Sequence, residues 1–248
     1  MTLKEFFANA PRAALGLSGG VDSSYLLYAA KRYAKEVRAY YAKSAFQPQF
    51  ETEDALRMAG ELGVDMQILP VDVLADETVA SNPADRCYFC KRRIFETIRA
   101  QAEADGFPVL LDGTNASDDV GDRPGVRALQ ELSVLSPLRL CGLTKAEIRR
   151  LSKEAGLFTW DKPAYACLAT RIPTGEPITE EKLRATEAAE GFLFSLGFSD
   201  FRVRRMGDAA KIQVPRGQFE KVIENRERIL AELKRYYAAV LLDLEARE

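Results

Sequence analysis

The stretch Ser18–Ser24, SGGVDSS, follows a short apolar run, Ala13 to Leu17, and leads into SSYLLYAAKRY, where apolar residues return at helical spacing. The run is short enough for a buried strand, so the sequence predicts a strand, a glycine turn and a helix in direct succession. Paired Gly19 and Gly20 let the backbone reach positive φ and approach a ligand with no Cβ in the way. Successive N–H groups in such a turn form a concave donor site, and the N-terminus of the next helix adds partial positive charge. Ser18, Ser23 and Ser24 bring hydroxyl donors for the same phosphates, and Asp22 is suited to helping hold Mg²⁺. No GK[ST] closes the loop, so it is not a Walker A sequence, nor is it a GxGxxG dinucleotide turn. The bland alternative is a ligand-free strand–helix connection. It accounts for SGG alone but not for VDSS with a strand in front.

Working outward, Leu3 to Ala10 reads as a short helix, Val37 to Ala42 as the next strand, Thr52 to Leu62 as a helix and Met66 to Val71 as a third strand. Cys87 to Ala104 is predicted helical, with Ile94, Phe95 and Ile98 on one face, and Val109 to Leu111 is a strand running into the turn-rich DGTNASDD, residues 112–119. Val126 to Leu132 follows as a helix, and GLTKAEIRRLSKEAGL opens with Thr144 as N-cap and Glu147 three residues on, a capping box. Alternation of this kind belongs to the α/β class, a parallel sheet with helices on both faces that binds ligands beyond the carboxyl ends of its strands. SGGVDSS and DGTNASDD both follow predicted strands and so share one rim. Gly113, Thr114 and Asn115 are therefore assigned to the same ligand as Ser18–Ser24. After about residue 175 the pattern changes to a helix (ITEEKLRATEAAEGFLFSLGF), two short strands (FRVRRM, AKIQV), a long helix (FEKVIENRERILAELKRYY) and a last strand, Val240 to Leu244. The expected division is a first domain over 1–174 and a small α+β domain over 175–248, joined near RIPTGEPIT.

The 248 residues are 47% apolar and 29% charged, enough for one sizeable core and a small second one. Lys and Arg number 35 against 37 Asp and Glu, a balance that argues against a nucleic-acid-coating protein. No apolar run approaches the ~20 residues of a membrane span, and MTLKEFFANAPR lacks the apolar centre of a signal peptide. A cytoplasmic protein without membrane partners is the expectation. Histidine is absent, which excludes Ser-His and Cys-His catalysis and every His-ligated metal site.

Four cysteines remain: Cys87, Cys90, Cys141 and Cys167. In a reducing compartment such thiols are more often ligands or reactants than disulfides. The CxxC in RCYFCKRRIF is compatible with zinc binding, redox cycling or plain helix packing. Cys141 follows an apolar segment and reads as a small buried side chain. A fourth ligand in a closed Cys₄ site is the competing reading, and that site would be structural.

SGGVDS resembles the signature of the ATP-pyrophosphatases, which cleave ATP between its α and β phosphates and leave AMP on the substrate. That resemblance implies a Rossmann-like sheet, ATP and Mg²⁺. Further segments are similar to the LarE family, ATP-dependent sulfur transferases of nickel-pincer nucleotide biosynthesis: LLDGTNASDD, RPGVRALQEL, SPLRLCGLTKAEIRRLSKEAGL, WDKPAYACLATRIPTG and, more loosely, RVRRMGDAAKIQVP. The resemblance implies adenylylation of a carboxylate of pyridinium-3,5-biscarboxylic acid mononucleotide, followed by its conversion to a thiocarboxylate. Cys167 matches the sulfur-bearing cysteine. In three-cysteine members a [4Fe–4S] cluster carries an extra sulfide on its open iron, and Cys87, Cys90 and Cys167 match that set. In single-cysteine members the residue matching Cys167 gives up its own sulfur. Arg202 and Arg204 match a phosphate-binding RVR pair and would share one strand face, with forked donors suited to phosphate. Arg171, beside Cys167, is a further anion candidate. The family also implies a homo-oligomer, hexamers included.

The chain departs from the family at three places. Arg205 and Met206 replace a histidine pair, Gln213 replaces a glutamate, and where the family commonly continues past the last strand with a Gly-Tyr-Arg segment this chain stops at LDLEARE. The closest rival is a tRNA thiolase with a three-cysteine cluster, which should show an RNA-binding domain or a basic stripe. An ammonia-using amide-forming enzyme would need no cysteine set. A nucleotide-binding regulatory module with a structural metal is the reading without catalysis.

Overall fold

A computed structural model describes residues 1–119, 121 and 124–247. It divides into two compact units, residues 1–79 with 85–162, and residues 80–84 with 163–248.

In the first unit, α1 (Leu3–Asn9) opens with a capping box in which Thr2 and Glu5 satisfy each other's backbone amides. Then come β1 (Arg12–Gly16), α2 (Val21–Tyr33), β2 (Glu36–Lys43), α3 (Gln49–Leu62), β3 (Met66–Pro70), the one-turn α4 (Glu77–Ala80), α5 (Arg86–Ala104) and β4 (Val109–Leu111). Next are α6 (Pro124–Glu131), the one-turn α7 (Pro137–Leu140) and α8 (Lys145–Glu154). The four strands run parallel in the order β3-β2-β1-β4. Ala13, Ala14 and Leu15 of β1 are fully buried, which is how an apolar run with no alternation behaves when covered on both faces. Leu15, Leu26, Leu27, Met58, Leu111 and Ile148 fill the core around it. The expected α/β sheet is the sheet found. Cys141 caps α7 and packs against this core, half-buried, and burial pushes its thiol up.

In the second unit, α9 (Glu180–Ser195) packs behind β5 (Arg202–Met206) and β6 (Ala209–Gln213). They are followed by α10 (Phe219–Glu224), α11 (Arg226–Leu233) and β7 (Ala239–Leu242). β5 and β6 are antiparallel, β6 and β7 parallel. Ala189, Leu193, Val203, Ile212 and Leu233 are buried in its core. The single long helix expected from FEKVIENRERILAELKRYY is two helices. They meet at Asn225 (φ −97°, ψ 9°), whose side-chain amide donates to the Lys221 carbonyl at 2.9 Å and offers the backbone a local alternative to the helical ladder.

The units part at Lys162/Pro163, ahead of the expected 174/175 boundary. Residues 80–84 group with the second unit because the buried Asn82 amide donates to the carbonyls of Pro173 (2.8 Å) and Glu176 (3.2 Å), while its own carbonyl accepts from Gly175.

Candidate active site

β1 and β4 are parallel neighbours with Leu15 opposite Leu111, so the loops that follow them leave the same rim side by side. Gly19 has φ 76°, and a Cβ there would stand 2.8 Å from the Glu51 carbonyl. Gly113 sits so close to the first turn of α2 that a Cβ would lie 2.9 Å from the Ser23 amide nitrogen. The two glycines let the chain pass where no side chain fits. Ser18 is exposed on the rim, whereas Ser23 is buried: its hydroxyl accepts from the Ser18 amide (3.2 Å) and donates to the Gly20 carbonyl (3.2 Å). Ser23 thus braces the turn. Ser24 is fully buried, its hydroxyl without a hydrogen-bond partner among the described residues.

Asp22, in the first turn of α2, accepts from the Asn115 side-chain amide at 3.3 Å and from Lys145 Nζ at 2.5 Å. Asn115 is held in turn by Asp118 and Ser117, and Arg139 donates to the Asp118 carbonyl at 2.9 Å. Asp112 accepts from the hydroxyls of Thr114 and Ser136, which commits Thr114 to shaping the loop. Mg²⁺ bound through one carboxylate together with substrate phosphates needs no all-protein cage, and Asp22 is suited to that single-carboxylate role.

Two residues of this site were not legible as such in sequence. Lys145 is the first residue of α8, aimed at Asp22 by the Thr144–Glu147 capping box and by its own amide donating to Ser117 Oγ. Lys162 donates to the Gly19 carbonyl (3.0 Å) and pairs with Asp54 (2.6 Å). Arg149 fixes that stretch by binding the carbonyls of Trp160 and Lys162. A lysine following a helix cap was the one signal available for the first; nothing local marks the second.

In the second unit Arg171, Arg202 and Arg204 come together. Arg171 is buried and makes a forked pair with Glu190 (2.7 and 3.1 Å), whose carboxylate also takes the Tyr165 hydroxyl and the Val203 amide. Burial disfavours the Arg171 charge, but Glu190 more than offsets it and holds the guanidinium above its ordinary pKa. Arg202 is buried, its donors on the carbonyls of Phe201 and Ala164. Burial and repulsion from Arg171 and Arg247 push it down to about 10. Arg204 donates to Gln213 (2.6 Å) and the Thr170 carbonyl (2.8 Å) and is lowered by burial and the Arg171 charge. The Tyr165 ring lies within reach of both Arg171 and Arg202, at 4.6 and 5.2 Å. The cluster is electropositive, with Glu190 as the carboxylate at its centre. Cys167 caps the short 3-10 turn 168–171 and lies near enough to Arg171 for their charges to couple.

Cys87 and Cys90 lie one helical turn apart at the start of α5, Cys87 exposed and Cys90 buried, in the first unit. A cluster with three cysteine ligands asks for three thiols around one centre. The CxxC pair suits two of those positions. Among the described residues no three His, Cys, Asp or Glu side chains are grouped to hold a metal ion.

A parallel sheet whose first strand–helix turn is SGGVDSS, with the loop from the neighbouring strand beside it, has the Rossmann-like fold of the ATP-pyrophosphatase class. Residues 8–120 match the asparagine synthase family. The pyridinium-3,5-bisthiocarboxylic acid mononucleotide synthase of Lactiplantibacillus plantarum is 30% identical over 98% of this chain and 89% of its own length. The chain belongs to the family of that enzyme, the LarE-type sulfur transferases. An uncharacterized protein of Synechocystis sp. is 36% identical over 90% of this chain and 84% of its own length. A tRNA-specific 2-thiouridylase of Thermotoga sp. is 26% identical over 59% of this chain and 52% of its own. Among the described residues no helix is long and apolar enough to cross a membrane.

Proposed function

We propose that this chain uses ATP and Mg²⁺ to adenylylate a carboxylate of pyridinium-3,5-biscarboxylic acid mononucleotide and then converts the acyl-adenylate to a thiocarboxylate. The observation that carries the reading is the convergence of Asp22, Lys145 and Lys162 on the SGGVDSS turn of a chain in the LarE-type family. A carboxylate oxygen of the substrate attacks the α-phosphorus, and the bond to the bridging oxygen breaks as pyrophosphate departs with the electron pair. The amides of residues 19–22 and the positive end of α2 stabilise the leaving charge. Lys145 leaves Asp22 for a phosphate oxygen, which frees the carboxylate for Mg²⁺. In the second half the sulfur carried at Cys167 adds to the acyl carbon, AMP leaves with the electron pair of the acyl–oxygen bond, and the bond from that sulfur to its carrier then breaks to release the thiocarboxylate. Arg202 and Arg204 are assigned to the substrate phosphate. Arg171, whose donors go to Glu190, Ala166 and Thr170, contributes field and positioning beside them.

For the sulfur source we propose a [4Fe–4S] cluster on Cys87, Cys90 and Cys167. Protein purified without oxygen is then brown, with iron near about four per chain, and Cys87→Ala loses the colour while keeping ATP binding. A colourless zinc-loaded preparation rejects the cluster, and loss of one sulfur from Cys167 on turnover identifies that residue as the donor. Assembly is proposed to be a homo-oligomer, a hexamer included, in the cytoplasm. The whole reading is tested by incubating ATP, the biscarboxylic mononucleotide and Cys167→Ala protein. Pyrophosphate exchange persists and thiocarboxylate is not made. A salt-dependent shift of tRNA on a gel would favour the tRNA thiolase instead.

A further inference from the structure

Along β5 the side chains alternate, and Val203 points into the core formed with α9 and α11, fully buried. Arg205 follows two residues later on that same face. It places there a guanidinium, 11% exposed, whose Nη2 donates to the Gly207 carbonyl (3.2 Å) and whose centre lies 5.3 Å from the Tyr237 ring. Its Nε is buried and makes no hydrogen bond among the described residues. Glu176 and Asp208 stand 3.9 and 3.7 Å away, beyond hydrogen-bond reach, and Glu176 is already held at 2.7 Å by Lys182. A buried charged donor left unsatisfied is costly, and such groups ordinarily have a partner.

Arg205 lines a cavity of about 780 Å³ together with Lys182 and Arg184 of α9, and with Arg235 and Tyr236 beyond the end of α11. Ala185 and Ala188 form a floor of small residues, and the Arg235 guanidinium lies 5.7 Å from the Tyr236 ring centre. The lining carries four cationic side chains against the carboxylates of Glu181 and Asp208. Arg204, one residue earlier, points to the opposite face and is engaged by Gln213. The pocket is therefore a different place from the Arg202–Arg204 cluster.

We infer that this cavity is a second anion site, taking the phosphate group of a small phosphomonoester, with Arg205 as its buried anchor and Lys182, Arg184 and Arg235 around the rim. A phosphate in the cavity would put an anion beside the Arg205 guanidinium, which Glu176 and Asp208 meet only at 3.9 and 3.7 Å, and forked guanidinium donors match phosphate geometry. The inference stands apart from the sulfur-transfer reading and survives or fails without it.

The test is hydrogen-exchange mass spectrometry on the full chain in inorganic phosphate and in AMP, each against chloride of equal ionic strength. Phosphate should slow exchange at the 206–209 turn and at residues 235–238, with saturation. Arg205→Gln and the exposed Arg184→Gln should each weaken that protection about tenfold, whereas Arg204→Gln should leave it intact. AMP protecting these segments as phosphate does identifies a phosphomonoester site; protection by free phosphate alone would restrict it to the inorganic ion and overturn the assigned class. No protection there, or protection unchanged in Arg184→Gln, would overturn the proposal. Should Arg205→Gln fail to fold, the Arg184→Gln result decides.

Discussion

Gly113 touches the backbone of Ser23, and its replacement by alanine puts a methyl 2.9 Å from that amide nitrogen, a contact with no flexible side chain to yield. Gly113→Ala should destabilise the first unit by about 1–3 kcal/mol and weaken ATP binding by displacing the turn. Thermal melts and nucleotide titration check both. Asp243 offers a second residue-scale test. Hydrogen bonds from Lys211 and Gln213 hold its carboxyl down at about 2, below the ordinary 3.8. A carboxylate whose pKa is lower folded than unfolded contributes stability that is present above the unfolded value and lost as pH falls through the folded one. Asp243→Asn should therefore flatten the acid limb between about pH 4 and pH 2 and lower stability at neutrality, the difference from the native chain vanishing below about pH 2, as acid titration followed by circular dichroism would read. Gln213 is central to that network: where the family carries a glutamate, this chain has an amide that accepts from Arg204 and donates to Asp243. A glutamate there would face the Asp243 carboxylate, so the two positions are chemically matched as they stand.

At the scale of elements, helix α8 couples stability to the site. Thr144 caps it, and the next residue is the lysine that reaches Asp22. Thr144→Ala should cost about 1 kcal/mol and also slow pyrophosphate exchange. Lys145→Ala should slow exchange more, about 100-fold, with a smaller change in melting temperature. The contrast between the two variants separates the cap from the cation. The cap was readable from Thr144 and Glu147 because that signal is local. So were β1, the glycine turn and the helix after it, since burial on both faces leaves a continuous apolar run. The break at Asn225 was not readable. Val222, Ile229 and Leu233 are all buried and keep the helical spacing across it, so periodicity alone carries the helix through. The one-turn helices α4 and α7 are too short for any period to show. Lys162 reaches Gly19 from far along the chain, and only the folded path of residues 157–162, pinned by Arg149, brings it there.

For the molecule as a whole, the chain does not divide at one point. Residues 80–84 belong with the second unit, and Asn82 is the tie, a buried amide spending its donors on carbonyls near residues 172–176. Asn82→Ala strands those carbonyls and should cost about 1–3 kcal/mol, with faster amide exchange over 172–178 and little change in residues 12–24. No turn motif around SNPAD announced this role, because the partners lie some ninety positions onward. Adenylylation of a carboxylate at the SGGVDSS turn is tested most directly by the fate of the α phosphate of ATP. ATP labelled in its α phosphate is mixed with the enzyme and pyridinium-3,5-biscarboxylic acid mononucleotide, and the nucleotide products are followed. Substrate-dependent AMP and pyrophosphate, abolished in Asp22→Asn, is the predicted result; ADP and inorganic phosphate, or cleavage indifferent to Asp22, would contradict it.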